Sequence, residues 1–442
     1  MIIRMDEGAA ELLDTLHRAG YAAYVVGGCV RDSLLGLTPH DWDLCTSALP
    51  QQGMELFGEE KCIPTGLQHG TVTVKQGGGL YEITTFRTEG AYTDGRHPDE
   101  VHFVPDVRED LARRDFTINA MAYNAKEGLV DPFGGQADLQ SGILRAVGVP
   151  HQRFTEDALR ILRLYRFAAR FGFAIDPPTA QAAQELCAHL DCVSVERIEE
   201  ELAKLLSAPA PAAYLDEKIL GVVLPELSPE ALAAAKPVVD ACPAGERALP
   251  VRLAALLLSL GEDGTRRTLR RLRCSNACIE ETAVLVREAV PGVPGAFSSD
   301  TNRAIPSPAR LPAATGSHPS GRSSEKLPAR PPVSLNIYTR KLLGQYGLKT
   351  VQRLAALGTA LQPEHAADFA ALSELAERLD ADGVCCRISQ LAVNGRDLMA
   401  AGVPAGPGIR KVLEALLDGV IREEYPNERQ ALLAAVQQLA AS

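Results

Sequence analysis

Short apolar runs punctuated by glycine dominate the first part of the chain, and they predict strands joined by tight turns. Tyr24-Val25-Val26 reads as a buried strand running into Gly27-Gly28. Asp41-Trp42-Asp43 follows in an extended stretch, where side chains two apart share a face, so both carboxylates point one way and Trp42 packs behind. The β-branched runs over residues 70–75 and 80–86 flank Gly77-Gly78-Gly79, a hairpin signal. Residues 116–123 form an amphipathic run that predicts a helix. From Glu156 to Phe171 the period is helical, with Leu159, Leu162, Tyr165 and the phenylalanines on one side and Glu156, Asp157, Arg160, Arg163 and Arg170 on the other.

Beyond residue 155 alanine and leucine dominate, so the rest of the chain reads as mostly helical. The expected class is α+β: a small mixed β/α head (1–142), a helical neck (143–205), a helical body (206–290) and a helical body and tail (333–442). Between body and tail, residues 291–332 hold nine prolines, many serines and almost no apolar periodicity. Such a stretch buries too little surface to offset its ordering entropy and is expected to be disordered. Residues 88–100 are polar and turn-rich, which predicts a mobile loop. At 442 residues with 46% hydrophobic positions, the chain has ample material for several cores. Its ten cysteines lack histidine partners at zinc spacing, and no signal peptide or membrane span is apparent. They read as reduced thiols of a cytoplasmic protein.

Chemistry concentrates early. Two adjacent carboxylates repel unless a cation lies between them, and hard oxygen ligands suit Mg²⁺ shared with substrate phosphates. Gly27 and Gly28 lack side chains, so backbone N–H groups there can approach a triphosphate. Glu82 falls mid-strand among apolar neighbours, where an unpaired carboxylate is expensive unless it faces water at an edge or joins a metal site. Asp41, Asp43 and Glu82 together make a candidate three-carboxylate site for two metal ions, which in such sites lie ~3.5–4 Å apart. The chain has neither the Gly-x-Gly-x-x-Gly of dinucleotide folds nor the Gly-Lys-Ser/Thr of a P-loop.

Four motifs carry a family resemblance: Gly27-Gly28-Cys29-Val30-Arg31-Asp32, Asp41-Trp42-Asp43, the run from Arg113 and Arg114 through Asp115 to Asn119 and Ala120, and the run from Glu156 to Arg163. Together they resemble the bacterial class II tRNA nucleotidyltransferases, the CCA-adding enzymes, whose frame bacterial poly(A) polymerases share. The likeness is dense over residues 20–205 and returns in Asn394-Gly395-Arg396-Asp397-Leu398. It implies a nucleotidyltransferase head with Asp41, Asp43 and Glu82 as catalytic metal ligands for Mg²⁺. Gly27, Gly28, Arg31, Arg114, Asp115 and Asn119 are then implied to hold the phosphates and ribose. Asp157 and Arg160, supported by Glu156 and Arg163, are implied to read CTP and ATP by offering an acceptor and several donors to the base edge. Without the resemblance, Arg113-Arg114 is a solvated basic pair and Asp157 with Arg160 an ordinary helical salt bridge worth less than ~1 kcal/mol. In the family a flexible loop at 88–100 assists the change from adding C to adding A, and the helical tail grips tRNA.

A formal charge of −11 describes the whole surface and not one face. Residues 265–273 gather five arginines, with Arg266, Arg270 and Arg273 expected along one side of a helix as a phosphate-binding stripe for tRNA while Leu269 and Leu272 pack inward. The activity that the resemblance implies is template-independent addition of CCA to tRNA, with A-only addition or poly(A) synthesis as alternatives on the same head. A non-catalytic RNA-binding or nucleotide-sensing protein would have little need for three carboxylates.

Overall fold

The computed structural model describes residues 3–90, 100–289 and 335–441. The segment 291–332 and most of the 88–100 loop lie outside the described residues. The chain divides into two compact units: Met1–Lys236 with Ala244–Glu246 and Thr268–Cys274, and Pro237–Pro243 with Arg247–Arg267 and Ser275–Ser442.

The first unit opens with α1 (Glu7–Arg18), started by Asp6, whose side chain accepts the Ala9 N–H at 2.6 Å. Next come β1 (Ala23–Val26), α2 (Gly28–Leu34), β2 (Leu44–Thr46) and α3 (Pro50–Phe57), then β3 (Cys62–Gly66), β4 (Thr71–Gln76) and β5 (Gly79–Thr85). The chain continues through β6 (Arg87–Glu89), β7 (Val101–Phe103), α4 (Val107–Ala112), β8 (Ala122–Asn124), β9 (Gly128–Val130), α5 (Gly135–Ser141) and β10 (Ile143–Leu144). Seven of these strands form one sheet in the order β3-β4-β5-β2-β1-β8-β9. Within it β2 and β5 run parallel and the other neighbours antiparallel. The expected strand over residues 24–26 is β1, buried along its whole length near the sheet centre. The expected hairpin is β4–β5, turning through Gly77 and Gly78, both at positive φ.

One predicted helix is absent. Residues 116–123 form a short 3-10 turn over Thr117–Asn119 followed by β8, which pairs Val25 with Tyr123 and Val26 with Ala122. Every residue of this run is buried, so its apparent amphipathic period had no solvent face to serve; the Thr117 N–H donates to the Arg145 carbonyl, the Asn119 and Ala120 N–H groups close the turn, and Ala122 and Tyr123 pair with β1.

A helical layer follows the sheet: α6 (Pro150–Glu156), α7 (Leu159–Phe171), the short β11 (Ala174–Ile175), α8 (Pro177–Glu185), α9 (Val195–Leu206) and α10 (Glu217–Val223). The predicted single helix from Glu156 is two, because Asp157 is extended at φ −144° and ψ 103°. Its carboxylate instead accepts the Leu159 N–H at 3.0 Å, capping the start of α7. Helix α7 is nearly buried all round, Arg166 included.

The second unit is helical among its described residues, from α11 (Pro229–Ala241), α12 (Leu249–Leu257), α13 (Gly261–Arg271) and α14 (Asn276–Ala289) to α15 (Leu335–Tyr346), α16 (Leu348–Leu361) and α17 (Ala366–Ala381). Helices α11 and α13 each have one end in the first unit. The last helices, α18 (Gly395–Ala400), α19 (Pro407–Ile421) and α20 (Arg429–Ala441), pack around Leu398, Leu416 and Leu432. The Asn394–Leu398 motif is a capping box: the Asn394 side chain accepts the Arg396 N–H at 2.9 Å, Asp397 accepts the Asn394 N–H at 2.9 Å, and Leu398 is buried. No helix among the described residues is long and apolar enough to cross a membrane. The α+β architecture with a helical C-terminal part agrees with the expectation.

Candidate active site

Strand β2 begins one residue after Asp43. The parallel register places Leu44 opposite Ile83, so one step back along both chains Asp43 stands beside Glu82. Trp42 is buried while Asp41, Asp43 and Glu82 are exposed, the alternation that the spacing required. The Asp43 carbonyl accepts the Val26 N–H at 2.9 Å, which ties this edge to β1. The Asp43 side chain reaches solvent, yet desolvation by surrounding protein raises its pKa, Glu82 and Asp41 raise it further, and only Arg114 opposes them. Among the described residues no three His, Cys, Asp or Glu side chains are grouped closely enough to enclose a metal ion. The carboxylates are a crowded but open oxygen set, and an open set suits an ion that takes the rest of its shell from water and substrate phosphate.

Beside this edge, Gly27 turns at φ 76°, and its N–H donates to the Met121 carbonyl at 3.1 Å. A β-carbon there would sit 3.0 Å from Arg114 Nη1, so the missing side chain makes room for the guanidinium as well as permitting the turn. Arg114 Nη2 donates to Asp110 at 3.4 Å, while its buried Nε has no hydrogen-bond partner. Gly28 opens α2.

The other implied sugar and phosphate residues are committed to one another. Arg31 is buried, donates to Asp32 at 2.8 Å and to Asn119 Oδ1 at 2.6 Å, and lies over the rings of Phe167 and Phe171. Asn119 Nδ2 donates to Asp115 at 3.0 Å. Arg163 donates to the second Asp115 oxygen at 2.9 and 2.6 Å. Burial pushes the Asp115 carboxyl up, but Arg163 and the Asn119 hydrogen bond override it and hold it well below the usual range. Glu201 continues the chain of charges to Arg163 at 3.6 Å and to Arg166.

The neck residues meet differently from the predicted pair. Arg160 Nη1 donates to Glu156 at 2.8 Å and to the Arg153 carbonyl at 3.2 Å, and its Nη2 to the Arg113 carbonyl at 3.0 Å. Asp157 is joined by Arg197 at 2.8 Å. The two share the start of α7 but not a salt bridge, because the break at Asp157 removes the helical spacing that would have paired them.

The expected arginine stripe is interrupted. Helix α13 ends at Arg271, and Arg273 lies beyond it at φ 57°. Leu269 and Leu272 are buried as expected. Arg266 is paired with Glu262 and Glu280, and Arg273 with Glu196, while Arg270 is exposed. Sequence reasoning missed these acidic partners, which come from other turns and helices. It also missed Asp110, fully buried on α4, although its spacing of three and four from Arg113 and Arg114 was readable.

Family models match three parts of the chain: the poly(A) polymerase head domain over residues 23–145, a probable RNA- and SrmB-binding site of polymerase A over 172–230, and a tRNA nucleotidyltransferase domain 2 over 337–436. The CCA-adding enzyme of Limosilactobacillus fermentum is 36% identical over 442 residues, covering 98% of this chain and 97% of the relative. That of Lactiplantibacillus plantarum is 49% identical over 209 residues, a match that spans 47% of this chain and about half (51%) of the relative. The crystal structure of the Bacillus stearothermophilus CCA-adding enzyme in complex with CTP superposes with a TM-score of 0.78 at 30% identity, over 99% of this chain and 98% of that one. With a full-length likeness at this level, and a sheet edge that sets Asp43 beside Glu82 and Arg114, the chain belongs to the CCA-adding enzymes, a family of tRNA nucleotidyltransferases.

Proposed function

We propose that this protein adds CCA to the 3′ end of tRNA from CTP and ATP, releasing pyrophosphate, in the cytoplasm and with Mg²⁺. The observation that carries the reading is the alignment of Asp43 with Glu82 across β2 and β5, close to Asp41 and opposed by Arg114. Relatives of full length bear the CCA-adding name, and the Bacillus stearothermophilus enzyme is described with CTP.

Asp41, Asp43 and Glu82 are the residues that would hold the metal. When bound, the ion supplies charge neutralisation at the triphosphate and favours ionisation of the RNA 3′-hydroxyl. Glu82 helps take the hydroxyl proton, and the oxygen attacks the α-phosphorus in line while the bond to pyrophosphate breaks. Arg114 and the Gly28 N–H hold the phosphates; the Gly27 N–H, expected to share that task, is instead bonded to the Met121 carbonyl. Arg31, Asp115, Asn119 and Arg163, already bonded to one another, make a stiff wall for the ribose. Arg160, steadied by Glu156, presents its remaining donors to the base, and Asp157 supplies an acceptor. Arg266, Arg270 and Arg273 contribute to the tRNA backbone contacts, Arg270 most because it is exposed. The proposed domains are a head at 1–142, a neck at 143–205, a body at 206–290, an insertion at 291–332 and a body and tail at 333–442.

The test is extension of three labelled tRNAs, ending before CCA, after CC, and complete, with Mg²⁺, CTP and ATP at single-nucleotide resolution. Halting at CCA from every start supports the proposal. Extension of the CC-ending tRNA alone would mean an A-adding enzyme, long adenosine ladders a poly(A) polymerase, and no extension a binding protein.

A further inference from the structure

Asp110 has no place in the chemistry above, yet it is the most deeply buried carboxylate near the candidate site, with no exposed surface. A carboxylate in that position is costly to desolvate unless its oxygens are fully compensated. Compensation comes from the end of α4 and from the start of β6. Oδ1 accepts the Arg113 Nε at 2.9 Å and the Arg87 backbone N–H at 3.3 Å, and Oδ2 accepts Arg114 Nη2 at 3.4 Å. Arg113 and Arg114 hold the group ionised against its burial.

Arg114 therefore has two ends with different tasks. Nη2 is anchored on Asp110, Nη1 lies against the bare face of Gly27, Nε is unpartnered, and the guanidinium charge is felt at Asp43. An arginine side chain has several rotatable bonds and wanders unless its fork is pinned. One carboxylate in the core of α4 supplies that pin. The helix end is itself braced: the last carbonyls of α4 and the residue after it, Ala112 and Arg113, accept Arg153 at 3.1 Å and Arg160 at 3.0 Å.

We propose that Asp110 is a positioning residue for nucleotide binding, acting through Arg114 to hold its free guanidinium edge toward the triphosphate. This rests on the assignment of Arg114 to the phosphates. Asp110 touches no substrate. Its removal leaves Arg114 charged but unanchored, so the loss falls on nucleotide binding and not on the reacting carboxylates.

The test is a double-mutant cycle with Asp110→Asn and Arg114→Ala, reading KM for CTP and kcat separately during addition to a tRNA lacking CCA. Asp110→Asn is expected to raise KM about tenfold with kcat changed less than about threefold, and the double variant to be no worse than Arg114→Ala alone. A general structural role would instead lower kcat and KM effects together, add to Arg114→Ala, and lower the melting temperature in proportion. Additive effects, or an unchanged KM in Asp110→Asn, overturn the proposal. Should Asp110→Asn fail to fold, Asp110→Glu keeps the charge and moves it by one methylene, and the same cycle decides. Failure of the wild-type protein to extend tRNA would sink the functional reading itself, whereas an active wild type with an additive cycle sinks only the relay.

Discussion

Two sets of carboxylates within the first compact unit, one at the β2–β5 edge and one around α4 and α7, are handled in opposite ways. Asp41, Asp43 and Glu82 face outward, and the Asp43 carboxyl is pushed up by desolvation first and then by Glu82 and Asp41, with Arg114 opposing them. Asp110, Asp115 and Glu201 are buried and each is matched by arginine. The outward set is left with unspent charge, which is what a cation and a triphosphate require. The inner set spends its charge on fixing Arg113, Arg114, Arg163 and Arg166 in place. Chemical type alone does not separate these roles; burial and the count of guanidinium partners do.

The sharpest way to break this contrast is to remove one member of each set. Asp43→Ala should lower nucleotide incorporation by about a thousandfold or more, while leaving the melting temperature equal or slightly raised because a crowded charge is gone. A variant that loses stability along with activity would show that the edge is structural. Trp42, the only tryptophan in the chain, lies between the two aspartates and reports on their surroundings by fluorescence. Its emission should respond to Mg²⁺ with CTP in the wild type and not in Asp43→Ala.

The inner set should behave in reverse. Asp115→Asn is expected to cost about 2–3 kcal/mol of stability at neutral pH, less than a fully buried pair because Arg163 keeps part of its surface and Glu201 as a second partner. The sign with pH follows from the depressed carboxyl: its contribution is present above the unfolded value of about 4 and is lost as pH falls below that through the lower folded value. Denaturant melts at pH 7, 5 and 3 should therefore show the wild-type advantage intact at the first two and shrinking at the last. An advantage that persists undiminished at low pH would mean Asp115 stabilises by shape and not by charge.

Smaller effects sharpen the picture. Arg160→Ala should raise misincorporation of UTP or GTP relative to CTP and ATP by about tenfold before it abolishes catalysis, measured with each nucleotide alone. Unchanged base choice would confine Arg160 to bracing Glu156 and the end of α4. Arg270→Ala should weaken tRNA binding no more than about threefold and reduce its logarithmic salt slope by about one. An unaltered slope would remove Arg270 from the RNA surface.

Much of the site was legible because it depends on short-range geometry. A strand period of two put Asp41 and Asp43 on one face and Trp42 behind, and the glycines after Val26 marked the turn into α2. The failures share one cause. Residues 116–123 showed a helical period, yet its end, Ala122 and Tyr123, was taken by β1 and every residue of the run became buried. At the neck, the spacing of Asp157 and Arg160 suggested a salt bridge, but Asp157 was drawn to the free N–H of Leu159 and to Arg197, forty residues on. The arginine stripe broke for the same reason at Glu196 and Glu280, which were invisible partners until the helices were packed, whereas Glu262, four residues before Arg266 on α13, was readable from the spacing.

By itself the sequence determined the family, the α+β class, the strands of the head and the identity of the outward carboxylates, since these rest on local periodicity and on motifs read along the chain. Only the tertiary structure decided that Glu82 stands beside Asp43, that Arg114 is anchored on Asp110 while Arg31 and Arg163 are bound into a buried network, and where α6 gives way to α7. Those outcomes depend on which distant groups compete for each charge and each backbone donor, and that competition is settled by desolvation and packing once the elements meet.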